Sequence, residues 1–318
     1  MHPMTIDGRT LIWGERTYVM GILNLTPDSF SGDGLLSSPP APLPEGEGRG
    51  RDSSLSSSYL LLEEEAGRKI GLEQARRFLA AGADILDVGG ESTRPGAQPV
   101  SAEEELRRVL PTIHAIKTEF PEALISIDTY KAVVAEEALQ AGAAMINDVW
   151  GLRADPGLAG VAARHKAPVV LMHNRSKPAN VEVRERLGNA YLGAEYQDLL
   201  EDVKRELLEL VEIARAAGIP DEAIILDPGI GFGKTVSQNL ELINHLDELH
   251  TLGFPILLGP SRKSFIGYTL DLPADQRLEG TAATIAIGIA RGADIVRVHD
   301  VEAILRVARM TDAIVRRK

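Results

Sequence analysis

The residues that could do chemistry recur at one kind of place, the end of a short apolar run. TYVMGILNLTPDSF carries Asn24, GADILDVGGESTRP stops on Asp87, ALISIDTYK on Asp128, and AAMINDVWG on Asn147 and Asp148. PVVLMHN ends on His173 and AIILDPGIGFGK on Asp227, while PILLGPSRKS and DIVRVHD supply Ser261, Lys263, Arg297 and His299. Together they join carboxylate and amide acceptors to ammonium, guanidinium and imidazole donors, a set suited to a polar ligand with an anionic part. One polar strand end means little. Polar groups ending every run around one mouth would be costly to bury unless a ligand or water met them.

To share a mouth, these ends must belong to parallel strands. Residues 83–88 read as a buried strand with Asp87 at its carboxyl end, and 18–25 as the first strand. Each run is followed by room for a helix, which makes the crossovers right-handed. Helical spacing predicts 64–81, where Ile70, Leu72, Ala75, Phe78 and Leu79 form an apolar face that Gly82 ends. Ser101 and Glu104 form a capping-box signature before the next helix. Further helices are expected at 130–141, 156–165, 190–217, 238–251, 278–291 and 301–315. The alternation predicts an α/β fold, an eight-fold parallel (β/α)8 TIM barrel in one domain spanning 1–318. Residues 1–16 are expected to form a hairpin closing its bottom. Residues 31–62, rich in Ser, Pro and Gly, read as a disordered insertion in the loop after the first strand.

Composition narrows the class. Hydrophobic residues make up 44% and charged ones 25% of 318, as in an ordinary soluble globular chain. A formal net charge of -12 with 4% aromatics argues against a nucleic-acid partner. With no cysteine, thiolate catalysis and cysteine-held zinc are excluded, and the seven histidines show no paired metal spacing. No apolar stretch is long enough for a bilayer and the start lacks a secretory pattern, so cytoplasm is the expected compartment. PGIGFGKT imitates a phosphate loop, but Pro228 stands where its first glycine is required, and Lys234 breaks the dinucleotide pattern. His173 fits either a mouth-lining group or a satisfied core histidine.

The segments GILNLTPDSFSGDG, DVGGESTRPGA, SIDTYK, INDVWG, LDPGIGFGK, GPSRKSFIG and RVHDV, in that order, resemble dihydropteroate synthase, an enzyme family of folate biosynthesis. The resemblance covers nearly the whole chain and departs from the family in the length of the first loop. It implies a transferase that condenses p-aminobenzoate with 6-hydroxymethyl-7,8-dihydropterin pyrophosphate, releasing pyrophosphate, with Mg2+ as cofactor. Asp227 would clamp the pterin edge, with Asp128 and Asn147 beside it and Lys263 on the other side of the ring. Asn24, Thr93, Arg297 and His299 would bind the pyrophosphate, Asn24 lending its oxygen to magnesium. Phe30, Thr93, Arg94, Pro95, Phe232 and Ser264 would surround p-aminobenzoate, with Phe30 and Thr93 to Pro95 on two mobile loops. Asp87, Asp128, Lys263 and Arg297 would be catalytic, in a dissociative route through a pterin-methylene cation. The chemistry is compatible, since a pterin edge presents N–H donors that a carboxylate accepts in pairs. The resemblance also implies a homodimer through the last helices, involving Ile304, Leu305, Val307 and Ala308. A non-catalytic pterin-binding paralogue and a methyltransferase-type pterin-binding barrel share the acids and Asn147, but the second has no use for STRPG, SRKS and RVH.

Overall fold

The computed structural model describes residues 1–26, 53–177, 180–184 and 186–316, with side chains from 65 onward in the first helix. Phe30 and most of the 31–62 run lie outside the described residues. Eight parallel strands form the centre: β1 (Tyr18–Asn24), β2 (Ile85–Gly89), β3 (Ile125–Asp128), β4 (Met145–Asp148), β5 (Val169–Met172), β6 (Ile224–Asp227), β7 (Leu257–Leu258) and β8 (Ile295–Val298). Their order is β6-β5-β4-β3-β2-β1-β8-β7, and a parallel bridge from Leu226 to Ile256 joins the two edges into a barrel.

The helices among the described residues are α1 (Ser53–Ala81), α2 (Ala102–Glu119), α3 (Ala132–Gln140), α4 (Leu158–His165), α5 (Leu199–Ala216), α6 (Val236–Asn244), α7 (Ser264–Leu270), α8 (Leu278–Ala290) and α9 (Val301–Val315). Each strand is followed by a helix, and after β7 the short α7 precedes α8. None is long and apolar enough to cross a membrane.

The period of two along each strand divides the core into two layers. Val19, Leu86, Ile127, Ile146, Leu171, Leu226 and Val296 pack outward against the helices. Their neighbours Ile85, Met145, Val170, Ile225, Leu257 and Ile295 fill the barrel axis together with Met4, Ile6 and Leu11. Those last three come from an antiparallel hairpin, Met4–Ile6 against Arg9–Leu11, which forms the expected floor.

Three local expectations need correction. The first helix starts at Ser53 rather than near residue 64. The fifth starts at Leu199, capped by Asp198 bonding Glu201 N at 3.1 Å, because Ala190–Tyr191 pairs with Val181–Glu182 as a small hairpin instead of continuing the helix. Ser101 caps α2 through Glu104 N at 3.1 Å, but no return bond closes the box, since the Glu104 carboxylate is taken by Arg107 and Arg108. Ile304, Leu305 and Ala308 face the core, whereas Ile287, Met310, Ile314 and Val315 are the exposed apolar residues of α8 and α9.

Candidate active site

The alternation that buries Ile295 in the axis brings Arg297 inward one step higher, and does the same for Asp87 above Ile85 and Asn147 above Met145. Arg297 lies between two acids: its Nε donates to Asp87 Oδ2 and its Nη2 to Asp128 Oδ2, each at 2.5 Å. Asn147 Nδ2 donates to the same Asp87 oxygen at 3.0 Å. Four strand ends are thereby locked into one network. Asp87 is fully buried beneath the opening, while Asn24, Asp128, Asn147, Asp227, Lys263, Arg297 and His299 line one cavity above it.

Burial dominates the electrostatics. It pushes the Asp128 carboxyl up to about 7, against the pull of the Arg297 guanidinium. Asp227 is raised for the same reason, against Lys263. Lys263 is lowered to about 8 by desolvation, and His299 falls well below its usual range from burial among neighbouring cations, so its ring is neutral. Its Nδ1 lies 3.0 Å from Ser261 Oγ.

The connection after β6 carries the acid and an aromatic wall. Asp227 Oδ1 accepts from Gly229 N at 2.7 Å, and the Lys263 ammonium sits 4.6 Å from the Phe232 ring centre while donating to Ile230 O. Lys234 holds this loop from behind, bonding Gly229 O at 3.0 Å, Phe232 O at 3.2 Å and His173 Nδ1 at 3.0 Å. Its ammonium is therefore committed to the fold, and the resemblance to a phosphate loop is accidental. His173, 3.1 Å from Glu206 through Nε2, is a satisfied core histidine, and burial holds it down to about 4. The partners imply a neutral ring protonated on Nε2.

Gly229 has φ +69, and a Cβ there would lie 1.8 Å from the His173 carbonyl oxygen. Gly229→Ala is expected to cost at least about 2 kcal/mol of stability, from left-handed backbone strain and the displaced loop. A denaturant midpoint equal to wild type would contradict this.

Thr93, Arg94, Pro95, Phe232 and Ser264 line the same cavity. The base of the loop carrying the first three is fixed by Glu91, which accepts from Tyr130 Oη at 2.9 Å, Val100 N at 3.3 Å and Lys131. The structure thus gathers every described residue to which the resemblance gives a role, with Asp87 as a buried support, but not the other two polar strand ends, since His173 is held by Glu206 and Lys234 and Asp148 accepts from Trp150 N and Leu152 N. It adds Asn189, Tyr191 and Arg277 to the lining. Gly188 and Gly193, on either side of Asn189 and Tyr191, were the signal that this stretch interrupts a helical pattern.

A family model described as pterin binding enzyme matches residues 62–299. A dihydropteroate synthase of Clostridium beijerinckii is 48% identical over 315 residues, covering 99% of this chain and 100% of that one. The chain belongs to the dihydropteroate synthase family. Among solved dihydropteroate synthases, one from Clostridium difficile, crystallised in the presence of pteroic acid, is 46% identical with a TM-score of 0.77, covering 96% of this chain and 99% of that chain. Another, from Xanthomonas albilineans with 4-aminobenzoic acid, is 35% identical with a TM-score of 0.77 over 98% of this chain and 97% of that one.

Proposed function

We propose that this chain performs the dihydropteroate synthase reaction, joining p-aminobenzoate to 6-hydroxymethyl-7,8-dihydropterin pyrophosphate and releasing pyrophosphate. The observation that carries the reading is the convergence of Asp128, Asn147, Asp227, Lys263 and Arg297, from five different strands or their loops, on one cavity. Asp227 accepts paired donors from the pterin edge, Asp128 and Asn147 meet the adjoining atoms, and Lys263 donates from the other side. Arg297 and neutral His299 take the pyrophosphate with Thr93. The bond from the pterin methylene to the pyrophosphate oxygen breaks with its electron pair leaving on oxygen. The cation left on carbon is delocalised into the ring near the Asp87 and Asp128 carboxylates, the amine nitrogen then bonds to it, and one amine proton is released.

Magnesium enters this reading as a companion of the pyrophosphate, taking its other ligands from phosphate oxygens and water. Among the described residues no group of three or more His, Asp or Glu side chains could hold a metal, and Asn24 offers one neutral oxygen at the mouth. When bound, magnesium would neutralise part of the leaving charge. The reading includes a homodimer through the outer face of α8 and α9, where Ile287, Met310 and Ile314 are exposed.

Asp128 accepts N–H donors fully only when ionised, so kcat/KM for the pterin substrate is expected to rise as pH climbs through about 7. Lys263 loses its charge above about 8, so the same quantity should fall again on the alkaline side. A profile flat across that range would remove both groups from the pterin site. Measuring pyrophosphate release and dihydropteroate formation together, with and without p-aminobenzoate and magnesium, tests the whole reading. Pterin binding without coupled release would mark the chain as a binding paralogue.

A further inference from the structure

We propose that the segment 186–196 is a strap that positions the amine loop, 92–97, and that Tyr191 and Asn189 are positioning residues for p-aminobenzoate. The amine assignment rests on the synthase reading above; the strapping does not. The Tyr191 hydroxyl donates to the Thr93 carbonyl at 3.1 Å, and the Asn189 amide donates to the Pro95 carbonyl at 3.2 Å. Both acceptors are backbone atoms, so the bonds fix the course of the loop and leave the Thr93 and Arg94 side chains to line the cavity. The two segments run at contact distance, since a Cβ on Gly96 would lie 3.3 Å from Asn189 Nδ2.

The strap is itself held at both ends. On one side the buried Arg277 guanidinium donates to Leu187 O at 2.7 Å, and Tyr268 Oη donates to Gly188 O at 3.0 Å. Arg277 also donates to Arg262 O at 2.9 Å, which ties the strap to the segment carrying Lys263 and Ser264. On the other side Ala194 N and Tyr196 Oη both donate to Gly233 O, at 2.9 and 3.2 Å. The strap therefore spans from the α7–α8 side to the loop after β6, with the amine loop bonded between its anchors.

Tyr191 touches both walls of the space. Its hydroxyl holds the loop, and its ring lies 5.9 Å from the Phe232 ring at 32°, with Lys263 on that same phenyl ring. Burial raises the Tyr191 pKa, which keeps the hydroxyl a donor at neutral pH. A hairpin that only decorated the surface would not direct two side-chain donors at the backbone of a cavity loop. Fixing that loop in advance spares p-aminobenzoate the entropy of ordering it, whereas the pterin groups at the strand ends do not depend on it.

The test is the double variant Tyr191→Phe with Asn189→Ala, in which the phenyl ring keeps its pairing with Phe232. The KM for p-aminobenzoate is expected to rise roughly five- to hundredfold from two lost hydrogen bonds, with kcat and pterin affinity changed less than about twofold. Amide hydrogen exchange in 93–97, measured without substrate, should become faster. An unchanged amine KM, exchange no faster than in wild type, or an equal loss of pterin binding would each overturn the proposal. If the wild-type protein forms no product, the synthase reading falls instead, and the exchange measurement still decides whether 186–196 holds the loop.

Discussion

Arg297→Met is expected to lower turnover about a thousandfold or more, because the guanidinium is asked to do two things at once. In the proposed reaction it presents a fixed cation to the departing pyrophosphate, and it is the shared partner of Asp87 and Asp128 at 2.5 Å each. Without it two carboxyl groups face each other across neighbouring strands in a buried site. Removing one partner of a buried pair typically costs about 3–5 kcal/mol, an amount that protonation can relieve. The relief has a direction. Asp128 is already raised above its unfolded value, so the folded state binds the extra proton, and stability falls as pH rises from about 4 through about 7. Losing the guanidinium should steepen that fall, so unfolding midpoints of the variant and wild type should separate more at neutral than at acid pH. Arg297→Lys supplies charge without the fork that reaches both acids and should recover only part of the rate. Turnover within tenfold of wild type in the methionine variant would mean that Arg297 is only a structural clasp.

Asp227→Asn is expected to weaken pterin binding by about 10²- to 10³-fold while leaving the barrel as stable as before or more so. The carboxylate uses one oxygen on Gly229 N at 2.7 Å and has acceptor capacity left for a ligand edge. An amide in its place keeps an oxygen for Gly229 but turns an N–H toward the ligand's own donors, which removes charge-assisted bonds and opposes donor to donor. Stability moves the other way because Asp227 is buried and its pKa is raised. Its ionised form is penalised in the folded state above the unfolded pKa, and a neutral isostere removes that penalty at neutral pH. Calorimetric titration with pterin and a thermal melt on the same sample check both halves. Pterin affinity within threefold of wild type would transfer the clamp to another residue.

The strand ends were readable from the sequence because side-chain direction has a strict period of two, so an acid ending an apolar run faces either the axis or the helices. Asp87, Asp128, Asn147 and Asp227 face the axis, and Asp148, next to Asn147, caps Trp150 N and Leu152 N on the outside. That rule also located Arg297 and His299. It could not show that Arg297 is held by Asp87 and Asp128, because Arg297 is 210 and 169 residues away from them and only barrel closure brings the three together. The fate of His173 was equally hidden, since its partners Glu206 and Lys234 come from other elements. The hairpin that delivers Asn189 and Tyr191 has strands of two residues each, too short for any periodicity to register. Its flanking Leu199 to Val211 pattern was strong enough to draw the helix backward over it.

The hairpin floor gives the barrel a traffic rule. With Met4, Ile6 and Leu11 wedged into the axis, the chamber is stopped at the bottom, and its opening lies at the carboxyl ends of the strands. In the proposed reaction the acids that would face the pterin sit at the strand tips, while the residues that would face the amine sit on the loops around the threshold. On that reading a heterocycle arriving second would find the doorway occupied, which favours a queue in which the ring goes in first and the amine closes the line behind it.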